Sequence, residues 1–278
     1  MPAEYIDAHH HLWKYSAEQY PWMMEGMEGI RRDFLLPELQ STTSQAGVTG
    51  TVVVQARQTL EETRWLLSLA ENNNLIRAVV GWVPLIEPQV KAHLETFSAH
   101  QKLTGVRHVL HDEADDFYML RDDFNRGLSS LKDFNLRYDI LIFEKHLAQT
   151  IQFVDRHPNQ IFIVDHIAKP KIKHRIRSPW TEQMTELAKR ENVYCKLSGM
   201  VTEADWKGWS EGELRYYFDV VLNAFGPKRL MFGSDWPVML VACEYKRWVN
   251  TVRSWIEELS PAEQMAIMGG TAKVAYLL

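Results

Sequence analysis

Short apolar runs alternate with segments of helical periodicity along almost the whole chain, and this alternation limits what the chain can fold into more than any other feature. The first run begins at Ile6; the others are residues 48–55 (VTGTVVVQ), 78–83 (AVVGWV), 105–110 (GVRHVL), 137–143 (RYDILIF), 161–165 (IFIVD), 193–197 (VYCKL) and 230–233 (LMFG). Between and after them, residues 37–45, 60–72, 88–101, 122–134, 144–156, 181–191, 211–225 and 244–258 place apolar side chains at helical spacing, with Thr181 as an expected N-cap, and Pro261 starts a short last helix. Strands that alternate with helices are parallel strands joined by crossovers. An open doubly wound sheet fits the same pattern, but it would carry a glycine-rich phosphate loop after its first strand. Histidines stand there instead. The expected fold is therefore α/β, a closed (β/α)8 barrel of the TIM type, with residues 1–278 as one domain. The length agrees with the roughly 250 residues typical of that barrel, and no Gly/Ser linker divides the chain.

The first strand runs into Asp7-Ala8-His9-His10-His11-Leu12-Trp13. Successive side chains of an extended backbone point to opposite faces, so His9 and His11 project together while His10 turns away into a structural role. Two imidazoles on one face can grip one divalent ion. A purification-tag remnant would also show consecutive histidines, but Asp7 and Ala8 before them and the strand-like surroundings argue against it.

A barrel builds its active site at the carboxyl ends of its strands, which selects the residues that should meet. They are His9 and His11 from strand one, Gln55 and Arg57 from strand two, Trp82 from strand three, Arg107 and His108 from strand four, His166 from strand six, Lys196 and Ser198 from strand seven, and Asp235 after strand eight. Three histidines and a carboxylate suit one divalent ion, with the carboxylate able to take a proton from a water. Nitrogen-rich ligation favours zinc over Mg²⁺ or Ca²⁺. Each residue has a structural alternative: a capped histidine at 166, a turn aspartate at 235 beside Gly233 and Pro237, salt-bridged rim arginines at 57 and 107. The aromatic, irregular residues 13–34 read as a long loop carrying a lid or part of a binding site.

Composition closes off other classes. A net charge of −5 and a pI near 6.1 offer no basic patch for nucleic acid. No apolar run approaches the roughly 20 residues that span a bilayer, and no leader precedes the first strand, so a cytoplasmic protein with a small-molecule substrate and no membrane partner is expected. Cys195 and Cys243 form no C-x-x-C clamp and read as buried apolar side chains. A homo-oligomer is left open.

Together these segments resemble the amidohydrolase superfamily, and within it the amidohydrolase-2 group of sugar-acid lactonases that act on L-fuconolactone and L-rhamnonolactone. The likeness rests on the opening Asp7-Ala8-His9-His10-His11-Leu12-Trp13, Val54-Gln55-Ala56 with Glu61-Glu62-Thr63, Gly105-Val106-Arg107-His108, residues 164–170 (VDHIAKP), Lys196-Leu197-Ser198-Gly199 and residues 232–237 (FGSDWP), in order over nearly the whole chain. It implies a distorted (β/α)8 barrel that hydrolyses a lactone. Asp235 is then the general base, assisted by His166, and His9, His11, His166 and Asp235 are the metal or carbonyl-polarising set. Gln55, Arg57, Trp82, Arg107, His108 and Lys196 are expected to bind substrate. Strand four ends in Arg107 and His108 where a carboxylated lysine would bridge two metals, so one ion is expected. The resemblance also covers relatives that need none. The superfamily includes non-oxidative decarboxylases, and a silent scaffold would lack one of His9, His11, His166 or Asp235.

Overall fold

The computed structural model describes residues 4–278. Eight parallel strands form one sheet in sequential order: β1 (Ile6–His10), β2 (Gly50–Val54), β3 (Ile76–Gly81), β4 (Leu103–Val109), β5 (Arg137–Leu141), β6 (Phe162–Val164), β7 (Val193–Leu197) and β8 (Leu230–Phe232). Helices α1 (Leu36–Ala46), α2 (Leu60–Glu71), α3 (Val90–Ser98), α4 (Asp122–Leu128), α5 (Leu147–Asp155), α6 (Trp180–Leu187), α7 (Glu211–Phe225) and α8 (Tyr245–Ile256) follow the strands, and α9 (Pro261–Met265) and α10 (Thr271–Tyr276) end the chain. The expected (β/α)8 architecture is the one found.

The strands are apolar on both faces because both are covered. Ile6, Ala8, Val52, Val54, Ala78, Val80, Ile163 and Met231 fill the barrel interior, while alternate residues such as Val53, Val79, Tyr138, Val164, Leu197 and Phe232 pack outward against the helices. Ala272, Ala275 and Tyr276 of α10 join the interior cluster. Closure between β1 and β8 is made by main chain beyond the end of β8: His11 N–H donates to Trp236 O at 2.7 Å and Asp235 N–H to His9 O at 2.8 Å. The barrel thus closes at the segment that carries its carboxylate.

β1 contains a bulge, its register against β2 slipping between Asp7 and His10. The bulge re-aims the strand. Asp7 turns outward to Ser234 and Tyr245, Ala8 faces the interior, and His9 and His11 then share the inward face. His10 points away, its Nε2 3.0 Å from Thr51 Oγ1.

Three helical expectations shift. Residues 122–134 are α4 followed by a separate 3₁₀ turn at Leu131–Phe134, and residues 144–156 begin with a 3₁₀ turn at Glu144–His146. The helix expected to be capped by Thr181 starts one residue earlier, after Pro179, and the Thr181 hydroxyl donates instead to Arg177 O at 3.0 Å. Cys195 and Cys243 are buried.

The long loop is anchored at its base by a two-residue antiparallel bridge, Trp13 and Phe34 each donating N–H to the other's carbonyl at 3.0 Å. Phe34 is fully buried, edge-on to Trp13 and to Trp236 at centroid distances of 5.5 and 5.3 Å. Phe34→Ala should therefore lower the unfolding free energy by roughly 3–5 kcal/mol, read as a shift of the urea midpoint; an unchanged midpoint would show that the loop base carries no core packing.

Candidate active site

At the carboxyl ends of the strands lies a cavity of about 1010 Å³ whose lining includes His11, Arg107, His166 and Asp235. Its floor is a tight cluster. His9 Nε2 and His11 Nε2 are 3.2 Å apart, Asp235 Oδ1 lies 3.3 Å from His11 Nε2 and 3.9 Å from the Nε2 atoms of both His9 and His166, and the His9 and His166 rings are 4.4 Å apart. The structure brings together His9, His11, His166 and Asp235, the residues taken from strands one, six and eight.

Each group is held from behind. Asp235 has φ +63 and follows Ser234, whose N–H and Oγ donate to the Asp7 carboxylate at 2.9 and 2.6 Å. Burial pushes the Asp7 carboxyl up to about 6 against these hydrogen bonds and those from His9 N–H and the Tyr245 hydroxyl. His166 opens a run of four left-handed residues, His166, Ile167, Ala168 and Lys169, with φ of 55, 47, 60 and 46°. Left-handed backbone costs L-residues roughly 1–2 kcal/mol each, and such strain persists only where the surroundings over-determine it. Here Trp180 Nε1 donates to Ile167 O at 2.8 Å and His166 Nδ1 lies 2.8 Å from Ser198 Oγ.

Beneath the floor, a buried charge network fills the barrel. Lys196 Nζ lies 2.6 Å from Asp139 Oδ2, 2.9 Å from Asp165 Oδ1 and 3.2 Å from His9 Nδ1, while Arg107 Nη1 donates to Asp165 Oδ2 at 3.0 Å and Nη2 donates to Gln55 O. Burial alone would raise the Asp165 carboxyl, but Lys196, His9 and Arg107 hold it well below the usual carboxylate range. Asp139, with fewer cations near it, is pushed by burial up to about 6. Burial likewise lowers His11 and His166 to about 3 and drives His9 far down, so all three imidazoles are neutral. Asp235 is raised by burial, opposed by His166, Lys169 and Arg107.

Neutral imidazoles beside a carboxylate are a metal-binding donor set. The 3.2 and 3.3 Å separations match the roughly 3.3 Å between donors each about 2.0–2.1 Å from a tetrahedral ion. His11 Nδ1–H donates to Val54 O at 2.8 Å, which leaves its Nε2 lone pair facing the site. His9 is provided for in both tautomers. With Nδ1 accepting from Lys196, its Nε2–H donates to His11; with Nε2 free for an ion, its Nδ1–H faces Asp165 Oδ1 at 3.3 Å, the oxygen that Lys196 Nζ also meets at 2.9 Å. The residues fit one divalent ion, and equally a proton in its place.

Of the six residues expected to bind substrate, Arg57 and Arg107 line the cavity; Gln55, Trp82, His108 and Lys196 do not. His108 follows Arg107 and so faces the opposite side of β4, where its ring stacks on Tyr118 at 5.2 Å, its Nε2 meets Glu113 at 2.6 Å and its Nδ1 accepts from Trp82 Nε1 at 3.3 Å. Lys196 lies deeper along β7 inside the ion network, and Gln55 is fully buried with its carbonyl occupied by Arg107. The cavity wall instead adds Gln58, Glu61, Asp112, Lys169 and Glu203, with Trp22, Met24 and Met27 from the long loop above. A neighbouring cavity of about 700 Å³ shares Lys169, Glu203 and Trp206 but reaches neither the histidines nor Asp235.

Residues 6–278 match a protein-family profile described as Amidohydrolase. The chain is 41% identical to an L-fucono-1,5-lactonase of Burkholderia multivorans, covering 100% of this chain and 97% of that protein, and 35% identical to an L-fucono-1,5-lactonase of Burkholderia ambifaria, covering 96% and 93%. A crystal structure of an amidohydrolase from Burkholderia multivorans with bound zinc superposes with a TM-score of 0.96 at 40% identity, covering 99% of this chain and 100% of that one.

The seat of His166 makes a direct prediction. Gly199 has φ +66, and a Cβ there would lie 2.5 Å from His166 Cγ. Gly199→Ala should displace the imidazole from Ser198 and cost roughly 1–3 kcal/mol of stability. Urea unfolding and a crystal structure of the variant check this; an unmoved ring and unchanged midpoint would contradict it.

Proposed function

The chain belongs to the amidohydrolase family, and on that premise we propose that it hydrolyses the lactone of a sugar acid, an aldonolactone such as L-fucono-1,5-lactone, to the open-chain acid. The observation that carries the reading is the Asp235 carboxylate beside the Nε2 atoms of three neutral histidines, on the floor of a cavity with room for a sugar ring.

Ester hydrolysis needs a stronger nucleophile than neutral water and a place for charge on the carbonyl oxygen. Asp235 takes a proton from a water, and the resulting hydroxide attacks the lactone carbonyl carbon. Burial raises the basicity of this carboxylate, while the cations Lys169 and Arg107 favour its ionised form. The negative charge that develops on the carbonyl oxygen is met by Arg107, a fixed cation in the cavity wall whose Nε–H has no acceptor among the described residues, and by His166 Nε2–H when Ser198 donates to its Nδ1. As the tetrahedral intermediate collapses, the bond from the carbonyl carbon to the ring oxygen breaks and Asp235 returns the proton to that oxygen. His9, His11 and Asp235 are the residues that would hold one divalent ion, zinc by their donor chemistry, and such an ion supplies Lewis-acid polarisation of the carbonyl when bound. The proton-bearing tautomer of His9 and the charge of Arg107 keep the site ordered without it.

The cavity wall suits a polyhydroxylated ring. Arg57, Gln58, Glu61, Asp112, Lys169 and Glu203 offer donors and acceptors for hydroxyls, and Trp22 offers an apolar face. The Arg57 guanidinium also pairs with Glu62 at 3.7 Å, and Glu62 accepts the N–H groups of Ala56 and Arg57 at 2.9 and 2.6 Å, so the residue is presented on a pinned loop.

A pH-indicator screen of purified protein against aldonolactones tests the reading: wild type should turn over L-fucono-1,5-lactone, and Asp235→Asn should lower kcat by about 10²–10⁴-fold with the fold intact. Asp235→Asn retaining more than about a tenth of the wild-type kcat places the base elsewhere. Elemental analysis of protein prepared without added metal should find at most one divalent ion per chain; two equivalents would contradict the single site built from His9, His11 and Asp235.

A further inference from the structure

Tyr276 sits on α10, which closes the end of the barrel opposite the cavity, and its side chain is fully buried among the interior residues Ile6, Val52, Ile163 and Met231. Its hydroxyl donates to Asp139 Oδ2 at 2.6 Å, and Lys196 Nζ lies 5.4 Å from its ring centroid. Among the described residues Asp139 Oδ1 has no hydrogen-bond partner, so the hydrogen bonding of this buried carboxylate rests on Oδ2, shared between Tyr276 and Lys196. Lys196 is also the group that reaches His9 Nδ1, at 3.2 Å.

We infer that Tyr276 is a positioning residue of the active site, acting on His9 through Asp139 and Lys196 from the far end of the barrel. The inference rests on the placement of His9 in the lactonase site. An ammonium has three donors and no acceptor. With Tyr276 satisfying part of the Asp139 carboxylate, Lys196 divides its N–H groups among Asp139, Asp165 and His9. Without the tyrosine hydroxyl, Lys196 is the one donor left to this buried carboxylate among the described residues, and a buried anion lacking a partner is costly. The ammonium is drawn toward Asp139 and away from His9 Nδ1, which loosens the ring whose other nitrogen faces His11 and Asp235. The contribution of Tyr276 is thus its hydroxyl as well as its bulk.

Phenylalanine fills the same volume, so Tyr276→Phe removes the donor and keeps the packing. The variant should unfold near the wild-type temperature while kcat on L-fucono-1,5-lactone falls roughly ten- to hundredfold, the loss of one charge-assisted hydrogen bond. KM should stay within about threefold, because no substrate contact is removed. In ¹⁵N-histidine spectra the His9 Nδ1 resonance should move, whereas those of His146 and His157, which hydrogen-bond Asp116 and Asn125 far from the network, should not. A purely structural tyrosine would leave the His9 resonance in place. Asp139→Asn breaks the middle link and should displace the same resonance, which decides the matter if Tyr276→Phe does not fold. A kcat within about twofold of wild type, or an unmoved His9 resonance in a folded variant, overturns the inference. A wild-type protein that turns over no lactone refutes the lactonase reading instead, and the His9 resonance then decides the positioning role by itself.

Discussion

Charge balance inside the barrel, among Asp139, Asp165, Lys196 and Arg107, holds the side chains of the cavity floor in place. Two carboxylates, Asp139 and Asp165, and two cations, Lys196 and Arg107, lie almost entirely out of water between the apolar interior and the floor of the cavity. Burying any one of them alone would cost several kcal/mol; together they are neutral. Asp165 is the bridge, because both cations and His9 meet its two oxygens. Removal of one member leaves an uncompensated charge, so the network can hold its geometry more rigidly than apolar packing would. It fixes Arg107 at the cavity wall and His9 at its floor.

A second constraint acts from the side. The loop carrying Asp235 is stitched to β1 by main-chain hydrogen bonds and by the Ser234–Asp7 pair, and β1 itself carries the bulge that turns His9 and His11 inward. Asp235, His9 and His11 are therefore positioned by one continuous piece of backbone pairing. His166 arrives separately, on a left-handed turn braced by Trp180 and fitted against Gly199. Strain in that turn is tolerated because packing and hydrogen bonds over-determine it.

Much of this was legible in the sequence. The alternation of apolar runs and helical segments led to the barrel, and barrel geometry then selected His9, His11, His166 and Asp235 without any contact information. The same two-residue periodicity that pairs His9 with His11 also separates Arg107 from His108, and applied to strand four it turns only one of them to the cavity. Lys196 stands near the end of strand seven but lies two positions before Ser198 on the same face, deep enough to meet Asp139 and Asp165 below the cavity. Asp139 itself, a lone acid in the middle of RYDILIF, is the kind of polar interruption that marks a buried network. The bulge in β1, the left-handed run at residues 166–169 and the pairing of Tyr276 with Asp139 arise from contacts distant in sequence, and no local pattern encodes them.

In the proposed reaction Asp235 activates water and does not itself attack the carbonyl. A single turnover in H₂¹⁸O, with enzyme in excess over L-fucono-1,5-lactone and mass analysis of both acid and protein, separates the two. Attack by activated water places one ¹⁸O in the carboxylate of the released acid and none in the enzyme. Label in the Asp235 carboxylate, with unlabelled acid from the first turnover, would make that carboxylate the nucleophile and rule out water activation.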